Sequence, residues 1–262
     1  MANMRTPKKD GPGLVFILIA LVVVGAIALK VFGLFPGAKQ EPEEQIPKID
    51  ETIPPEALEV SMLVYHSHAS ENFSPSEANT TKGKEGDIVR VGEALVNNLA
   101  TRGILAVHDV TVHDYPSWSQ AYARSKSTIE SALQKYPTIQ FVIDVHRDGL
   151  PDRGEGYTIT KIDGQEAATI LLVTGDANNP RAAANLAFAE KIRTKMEQMY
   201  PGLLRRIQVK HEDLNGNYLD NSVVVYIGDY RGNTLKQALK SAELLANVLA
   251  AVCADLKTAA KE

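Results

Sequence analysis

Downstream of residue 58, short apolar runs alternate with longer segments in which apolar residues recur every three or four positions. The short runs predict β-strands and the longer segments predict amphipathic helices. The predicted strands cover residues 60–65, 104–112, 141–145, 157–161, 168–174 and 223–227, and the predicted helices cover residues 88–99, 118–136, 182–199 and 234–256. This alternation is typical of an α/β fold. It predicts one three-layer domain over residues 59–256, in which helices flank a mostly parallel or mixed sheet and functional groups follow the C-terminal ends of strands.

A continuous apolar segment occupies residues 13–35, interrupted only by Lys30. As a helix it is long enough to cross the roughly 30 Å of a bilayer core, and it exceeds the usual apolar region of a signal peptide. We interpret it as an uncleaved transmembrane helix, with a cleaved signal peptide as the alternative. Basic residues precede it and acidic residues follow it, so residues 1–12 are predicted to be cytoplasmic and the domain to lie outside the cell membrane.

Composition adds little to this picture. Residues 36–58 combine five prolines with mostly acidic charges and predict an extended linker, and residues 257–262 form a tail. Cys253 is the only cysteine, so no intramolecular disulfide can form, and its helical pattern predicts a core position. The net charge of −4 and the lack of a basic patch with interspersed aromatics give no sign of a nucleic-acid partner.

Candidate chemistry begins where the first predicted strand ends, in the sequence VYHSHASEN. His66 and His68 would share a face if the strand continued, because strand side chains repeat every two residues, and Glu71 follows on the emerging loop. A second apolar strand delivers His146 to its own C-terminal end. Two imidazoles and a carboxylate that converge at strand ends are the ligand set of a catalytic zinc site, in which one position stays open for water.

Other interpretations of these residues are weaker. A single histidine at a strand end is usually solvated or hydrogen-bonded, which is the expectation for His108, His113 and His211. Ser67 and Ser70 lie near histidines, but the chain has no G-x-S-x-G nucleophile elbow to present them.

Several segments together resemble the stage II sporulation protein P family, in the order in which that family carries them. They are YHSHASENF, DIVRVGEALVNNLATRGILAVHDVTVHDYPSWSQAYARSKSTIESALQKYP, FVIDVHRDG, YPGL and GNTLKQALKSAELLANVL. The resemblance spans roughly residues 60–252, and a membrane anchor followed by a linker also fits it. It implies a zinc-dependent N-acetylmuramoyl-L-alanine amidase that cuts peptidoglycan between the glycan's lactyl group and the stem peptide, at the spore septum and engulfing membrane. Its partners would be peptidoglycan and other sporulation cell-wall proteins.

The same resemblance assigns the metal ligands. The family's YxTHxxES pattern falls on residues 65–72, so His68 is matched to a ligand and Glu71 to the nearby carboxylate. Its DxHRD pattern falls on residues 144–148, so His146 is matched to the second histidine ligand. His66 then has either a structural role, such as a hydrogen bond that orients the loop, or a place among the ligands.

Four more residues are candidates on the same basis. Arg147 and Asp148 would support the ligands or contact substrate, Asn72 would contact substrate, and Asp229 or Glu71 would act as general base if either reaches the attacking water.

One position departs from the family. Where members end the last apolar strand in a Leu-Ile-Glu-Val-Gly-like run whose glutamate acts as general base, this chain has Tyr226 in the sequence VVYIG. A phenol with a pKa near 10 can donate a proton but accepts one poorly. Tyr226 is therefore either a catalytic replacement or an aromatic residue packed on the sheet. Two hypotheses follow: an active or impaired zinc amidase, and a degenerate module that binds peptidoglycan or recruits a lytic partner.

Overall fold

The computed structural model describes residues 59–149 and 156–259. The predicted transmembrane helix at 13–35 and the linker at 36–58 lie outside the described residues. Within the described part of the chain, no helix has the length and the apolar character needed to cross a membrane.

The described chain contains eight strands and four α-helices. In chain order they are β1 (Met62–Tyr65), α1 (Asp87–Ala100), β2 (Ala106–His108), α2 (Ala121–Lys135), β3 (Phe141–Asp148), β4 (Ile159–Ile162), β5 (Gln165–Ala168), β6 (Ile170–Gly175), α3 (Ala182–Met199), β7 (Leu204–Lys210), β8 (Asn221–Asp229) and α4 (Leu235–Ala259). A single 3-10 turn, Trp118–Gln120, leads into α2.

Six strands form one mixed sheet in the order β2-β1-β3-β8-β6-β7. The four strands from β2 to β8 are parallel to one another, β6 pairs antiparallel with β8, and β7 is parallel to β6. The strands β4 and β5 form a separate antiparallel hairpin. The C-terminal ends of β1, β3 and β8 therefore meet at one edge of the sheet, beside the start of β6.

Helices cover both faces of the sheet, which confirms the predicted α/β class and its layers. One face packs against α1, α3 and α4 through a large apolar cluster that includes Val64, Val145, Leu95, Ile192 and Leu249. On the other face, α2 packs against β1 and β3, and its Tyr122 packs against a small apolar cluster from β6 and β8. This face also carries the polar residues of the strand ends.

The observed elements differ from the predicted ones mainly at strands. The strand predicted over 104–112 is only the three-residue β2, and the strands predicted to end at 145 and 227 continue to Asp148 and Asp229. The strand β7 was not predicted from the sequence. Cys253 lies in the core on α4 as a free, buried thiol, as predicted.

Candidate active site

The site is built where β1 and β3 end side by side. The parallel register pairs Tyr65 with Asp144, so the residues that follow Tyr65 lie next to the last residues of β3. Because side chains alternate along a strand, Asp144 and His146 point to the face covered by α2, whereas Val145 points into the opposite core.

β1 stops at Tyr65 and a turn follows at residues 67–70, so the continuing strand that would place His66 and His68 on one face does not form. His66 lies under α1, where its Nδ1 donates to the carbonyl of Val145 at 2.8 Å and its Nε2 lies 2.9 Å from Nε2 of His108. Gly92 permits this pair, because a Cβ there would lie 2.5 Å from both Nε2 atoms. This is the structural role that the sequence left open for His66.

His146 lies at the centre of the opposite face, between two buried carboxylates. Its Nδ1 is 3.3 Å from Oε2 of Glu71, and its Nε2 is 2.8 Å from Oδ1 of Asp144. The hydroxyl of Ser67 donates to Oδ2 of Asp144 at 2.8 Å and lies 2.9 Å from Nε2 of His146. Ser67 is fully buried, so its position suits a structural hydroxyl better than an exposed nucleophile.

The charged forms of Asp144, His146 and Glu71 stabilise one another. Burial alone lowers the pKa of His146, but the negative charges of Asp144 and Glu71 outweigh it and raise that pKa to about 10. Burial raises the pKa of each carboxyl, and the positive charge of His146 more than offsets this, so both pKa values end below their ordinary range. The three groups form a carboxylate, imidazolium, carboxylate series.

Arg147 holds Glu71 in place. Its backbone N–H donates to Oε2 of Glu71 at 3.0 Å, and its Nη1 is 3.3 Å from Oε1. The other end of the buried guanidinium donates to the carbonyl of Ala78 and to Oδ1 of Asn79. The contacts of Arg147 thus fit a supporting role for the loop that carries Glu71.

Asn72 has a similar place in the loop. Its Oδ1 accepts a hydrogen bond from the backbone N–H of Asp87, the first residue of α1, and its Nδ2 donates to the carbonyl of Glu77. Both polar ends of the amide are therefore used to join the loop to the helix.

His68 faces the site from the side of α2. Its ring lies over that of Trp118, with centroids 4.0 Å apart, and its Nε2 is 3.3 Å from the Trp118 carbonyl oxygen. The ring centroids of His68 and His146 are 5.2 Å apart. Burial and the positive charge of His146 lower the pKa of His68, so this imidazole is neutral at pH 7.

Tyr226 completes the group from β8. The register places it directly opposite His146, and the two ring centroids are 5.3 Å apart. Burial and the negative charge of Glu71 raise the pKa of Tyr226 well above its ordinary value. The phenol consequently stays protonated and can act only as a proton donor at neutral pH.

Asp148 and Asp229 lie further along the same edge and have other partners. Asp148 forms an ion pair with Arg205, in which Oδ2 of Asp148 lies 3.0 Å from Nη2 of Arg205. Asp229 accepts hydrogen bonds from the backbone N–H groups of Arg231 and Gly232 and from the hydroxyl of Thr158, which together hold the turn after β8. This placement does not favour Asp229 as a general base.

The predicted zinc donors are only partly assembled. Glu71 and His146 present two donor atoms 3.3 Å apart, and the bond from Nε2 of His146 to Asp144 is the kind of carboxylate contact that orients a ligating histidine. Nitrogen and carboxylate donors are the chemistry that zinc accepts, so the donor types fit this metal. In the residues that the structure describes, no three His, Cys, Asp or Glu side chains are grouped so that they could hold a metal ion.

Three residues around the site were absent from the sequence-based candidates, namely Trp118, Tyr122 and Asp144, and Ser67 was considered only as a nucleophile. Asp144 could have been found, because it is two residues before His146 on a strand and must share its face. The ring centroid of Tyr122 lies 6.2 Å from that of His146 and 5.5 Å from that of His68. Nothing in the sequence pattern of α2 indicates that its first turn faces two strand ends.

A model of the family described as "Stage II sporulation protein P (SpoIIP)" matches residues 36–250 of the chain. The chain belongs to this family. The stage II sporulation protein P of Bacillus subtilis (strain 168) is 23% identical over a match of 205 residues, and the match covers 71% of this chain and 49% of that protein. The chain thus spans about half the length of the curated relative that it matches.

Solved structures whose fold resembles that of this chain include the following two amidases. The N-acetylmuramoyl-L-alanine amidase AmiC2 of Nostoc punctiforme has a TM-score of 0.47 at 12% identity, covering 76% of this chain and 98% of that one. The CwlD amidase of Clostridioides difficile, solved in complex with the GerS lipoprotein, has a TM-score of 0.48 at 11% identity, covering 76% and 99%. The family assignment rests on the sequence match.

Proposed function

We propose that this member of the sporulation family is a peptidoglycan hydrolase that cleaves the amide between N-acetylmuramic acid and the L-alanine of the stem peptide. The observation that carries the proposal is that donor atoms of Glu71 and His146 lie 3.3 Å apart at the ends of β1 and β3, with the ring centroid of His68 5.2 Å from that of His146. Family membership supports the substrate class.

In this proposal Glu71 and His146, with His68 as the third donor, would hold a zinc ion. When bound there, the ion would supply Lewis-acid polarisation of the scissile carbonyl and an activated water. Asp144 fixes the ring of His146 through Nε2, so that Nδ1 faces the side of Glu71. Arg147 keeps both oxygens of Glu71 oriented. These contacts hold the site before substrate arrives, so little reorganisation is needed during the reaction.

Tyr226 has the position and the protonation state to donate a proton to the leaving amine, since its phenol lies opposite His146 and stays protonated. Proton abstraction from water needs an acceptor. Glu71 is the carboxylate nearest to His146 on the loop side, but Arg147 and His146 lower its pKa and weaken it as a base.

Tyr226 also favours a second candidate function. If a carboxylate at this position is required for turnover, the domain binds peptidoglycan or recruits a lytic partner without cleaving the amide. Both candidates include an anchor at residues 13–35 with a cytoplasmic N-terminus, an extracytoplasmic domain, and sporulation cell-wall proteins as partners.

Digestion of purified sacculi by the full-length chain, with and without added zinc, separates the two candidates. The amidase predicts zinc-dependent release of stem peptides with a free N-terminal L-alanine, detected by mass spectrometry, and loss of that release in His146→Ala. His211→Ala is the matched control, because the side chain of His211 is 89% exposed and pairs only with Asp176 among the described residues. Binding of sacculi without any released peptide would support the second candidate and overturn the first.

A further inference from the structure

Two large aromatic side chains are exposed at the rim of the candidate site. Trp118 is 45% exposed and Tyr115 is 54% exposed, although aromatic residues are among those that most favour burial. Trp118 lies directly over His68, so a molecule that reaches His68 from this side must pass the indole ring. Exposed apolar surface next to a polar cleft is a usual mark of a binding surface.

The loop that carries both rings is held by one side chain of α2. Nη1 of Arg124 donates to the carbonyl oxygens of His113, Tyr115 and Ser117, at 3.1, 2.9 and 3.3 Å. These bonds fix the loop backbone on both sides of Tyr115 and just before Trp118. The rings are therefore presented on a braced segment, which reduces the conformational entropy lost when a ligand binds.

Tyr115 also packs against the backbone at Gly83. A Cβ at Gly83, which has a φ of +70°, would lie 3.1 and 3.3 Å from two atoms of the Tyr115 ring. The ring thus packs against backbone at Gly83 and keeps its other surface towards solvent.

The opposite end of the site carries a cation. The ring centroids of His68 and His146 are 5.2 Å apart, and those of His146 and Tyr226 are 5.3 Å apart. Beyond them, Nζ of Lys210 lies 5.4 Å from the centroid of the Tyr226 ring. A row of rings therefore runs from the exposed indole of Trp118 to an ammonium group.

We propose that Trp118 and Tyr115 form a platform that stacks on an N-acetylated sugar ring of the glycan strand, while Lys210 receives carboxylates of the stem peptide. The faces of a sugar ring carry C–H groups that pack on indole and phenol rings. The inference rests on the proposed function for its choice of substrate. It deepens that function by giving the direction in which the substrate lies across the site.

Binding of substrate fragments tests this direction without depending on amide cleavage. The probes are a β-1,4-linked tetramer of N-acetylglucosamine, which has no stem peptide, and the dipeptide L-Ala-D-Glu, which has no sugar. Trp118 is the only tryptophan of the chain, so its emission reports directly on the platform. We expect a saturable change of emission with the tetramer and a much smaller one with the dipeptide.

Variants of the full-length chain, measured by calorimetry, separate the two ends. Trp118→Ala should weaken tetramer binding about tenfold relative to wild type, and Trp118→Phe should weaken it less. Tyr115→Ala should weaken tetramer binding about threefold. Lys210→Ala should weaken dipeptide binding and leave tetramer binding unchanged. Met199→Ala, which removes a partly exposed apolar side chain at the end of α3, is the control and should change neither.

The outcomes distinguish this inference from the proposed function. An emission of Trp118 that does not respond to the tetramer, or equal tetramer affinity in wild type and in folded Tyr115→Ala and Trp118→Ala, would overturn the platform. Retained tetramer binding in a chain that releases no peptide from sacculi would uphold the platform and overturn the amidase.

Discussion

His66 and His68 are two residues apart in the sequence, yet they enter opposite environments on the two faces of the sheet. The ring nitrogens of His66 contact a carbonyl and another imidazole beneath α1, and burial lowers the pKa of His66 to about 4 and that of His108 to about 3. On the other face, His68 borders a group in which two carboxylates raise the pKa of His146 to about 10.

The difference between the two faces comes from their partners, because histidines on both faces are buried. Desolvation disfavours the imidazolium in each case, and only at His146, which lies between Asp144 and Glu71, is the negative charge large enough to reverse the effect. The pKa of His68, on the same face, is still lowered. The face under α1 therefore holds the fold together, while the other face holds donors that can serve chemistry. Substitutions on the two faces should accordingly affect different properties.

The largest effect is expected on the charged face. His146→Ala should abolish zinc binding and peptide release, and it should cost about 3–5 kcal/mol of unfolding free energy because two buried carboxylates lose their partner. Zinc analysis, sacculus digestion and urea unfolding measure the three quantities. His68→Ala removes a donor without freeing these carboxylates, so it separates metal loss from unfolding. Stoichiometric zinc in a folded His146→Ala protein would rule out the proposed ligand set.

Tyr226→Glu should increase the rate of peptide release if the wild type lacks a general base. A positioned base contributes roughly 10²–10⁴-fold, and the neighbouring carboxylates would raise the pKa of the new acid towards neutrality. Rates of wild type, Tyr226→Glu and Tyr226→Phe are compared at equal folded concentration. A fully active wild type, with Tyr226→Glu no faster and Tyr226→Phe inactive, would instead make the phenol itself catalytic.

On the face under α1, Gly92→Ala should destabilise the fold by about 1–3 kcal/mol, because the new Cβ would lie 2.5 Å from ring nitrogens of His66 and His108. The sign is informative, since Gly→Ala inside a helix otherwise stabilises by up to about 1 kcal/mol. Urea unfolding measures the change, and zinc content should stay as in the wild type. A more stable Gly92→Ala protein would show that the imidazole pair moves aside easily.

The smallest effect is a pH dependence from the same pair. Both imidazoles have folded pKa values below the unfolded value of about 6.5, so the unfolded chain binds more protons and stability falls as the pH drops from 6.5 towards 4. Each group contributes a slope of up to about 1.4 kcal/mol per pH unit in this window. His108→Gln keeps a donor for His66 and removes one titrating group. Urea unfolding between pH 7 and 4.5 should therefore show a shallower slope in this variant, and equal slopes would contradict the assignment.

The sequence predicted the elements whose apolar pattern is strong and missed those shaped by context. The four helices were found because their buried faces repeat regularly, as in α1. β7 was missed because Arg205, Arg206 and Lys210 occupy an edge strand, where one side of the backbone is unpaired and charged residues are common. β2 was overextended because alternation in 104–112 continues beyond the three residues that pair with β1.

The sequence predicted that His146 and Glu71 lie close together, but it did not predict the side chains that surround them. His146 and Glu71 come together as the strand ends suggested, since the parallel pairing of β1 and β3 is a consequence of the fold class. The opposite faces of His66 and His68 depend on where β1 stops, which single-sequence patterns locate only to within a few residues. The aromatic rings from residues 115–122 depend on tertiary packing of a loop.

The burial of Cys253 has a practical consequence for following the unfolding of this domain. Burial raises the pKa of its thiol to about 11, so almost no thiolate is present at neutral pH. Alkylating reagents react slowly with the folded protein because the thiol is both inaccessible and protonated. Labelling then requires that α4 separate from the sheet. The rate of thiol labelling therefore measures how often the core opens on the face of the sheet that α4 covers. The fluorescence of Trp118 reports on the opposite face of the same sheet.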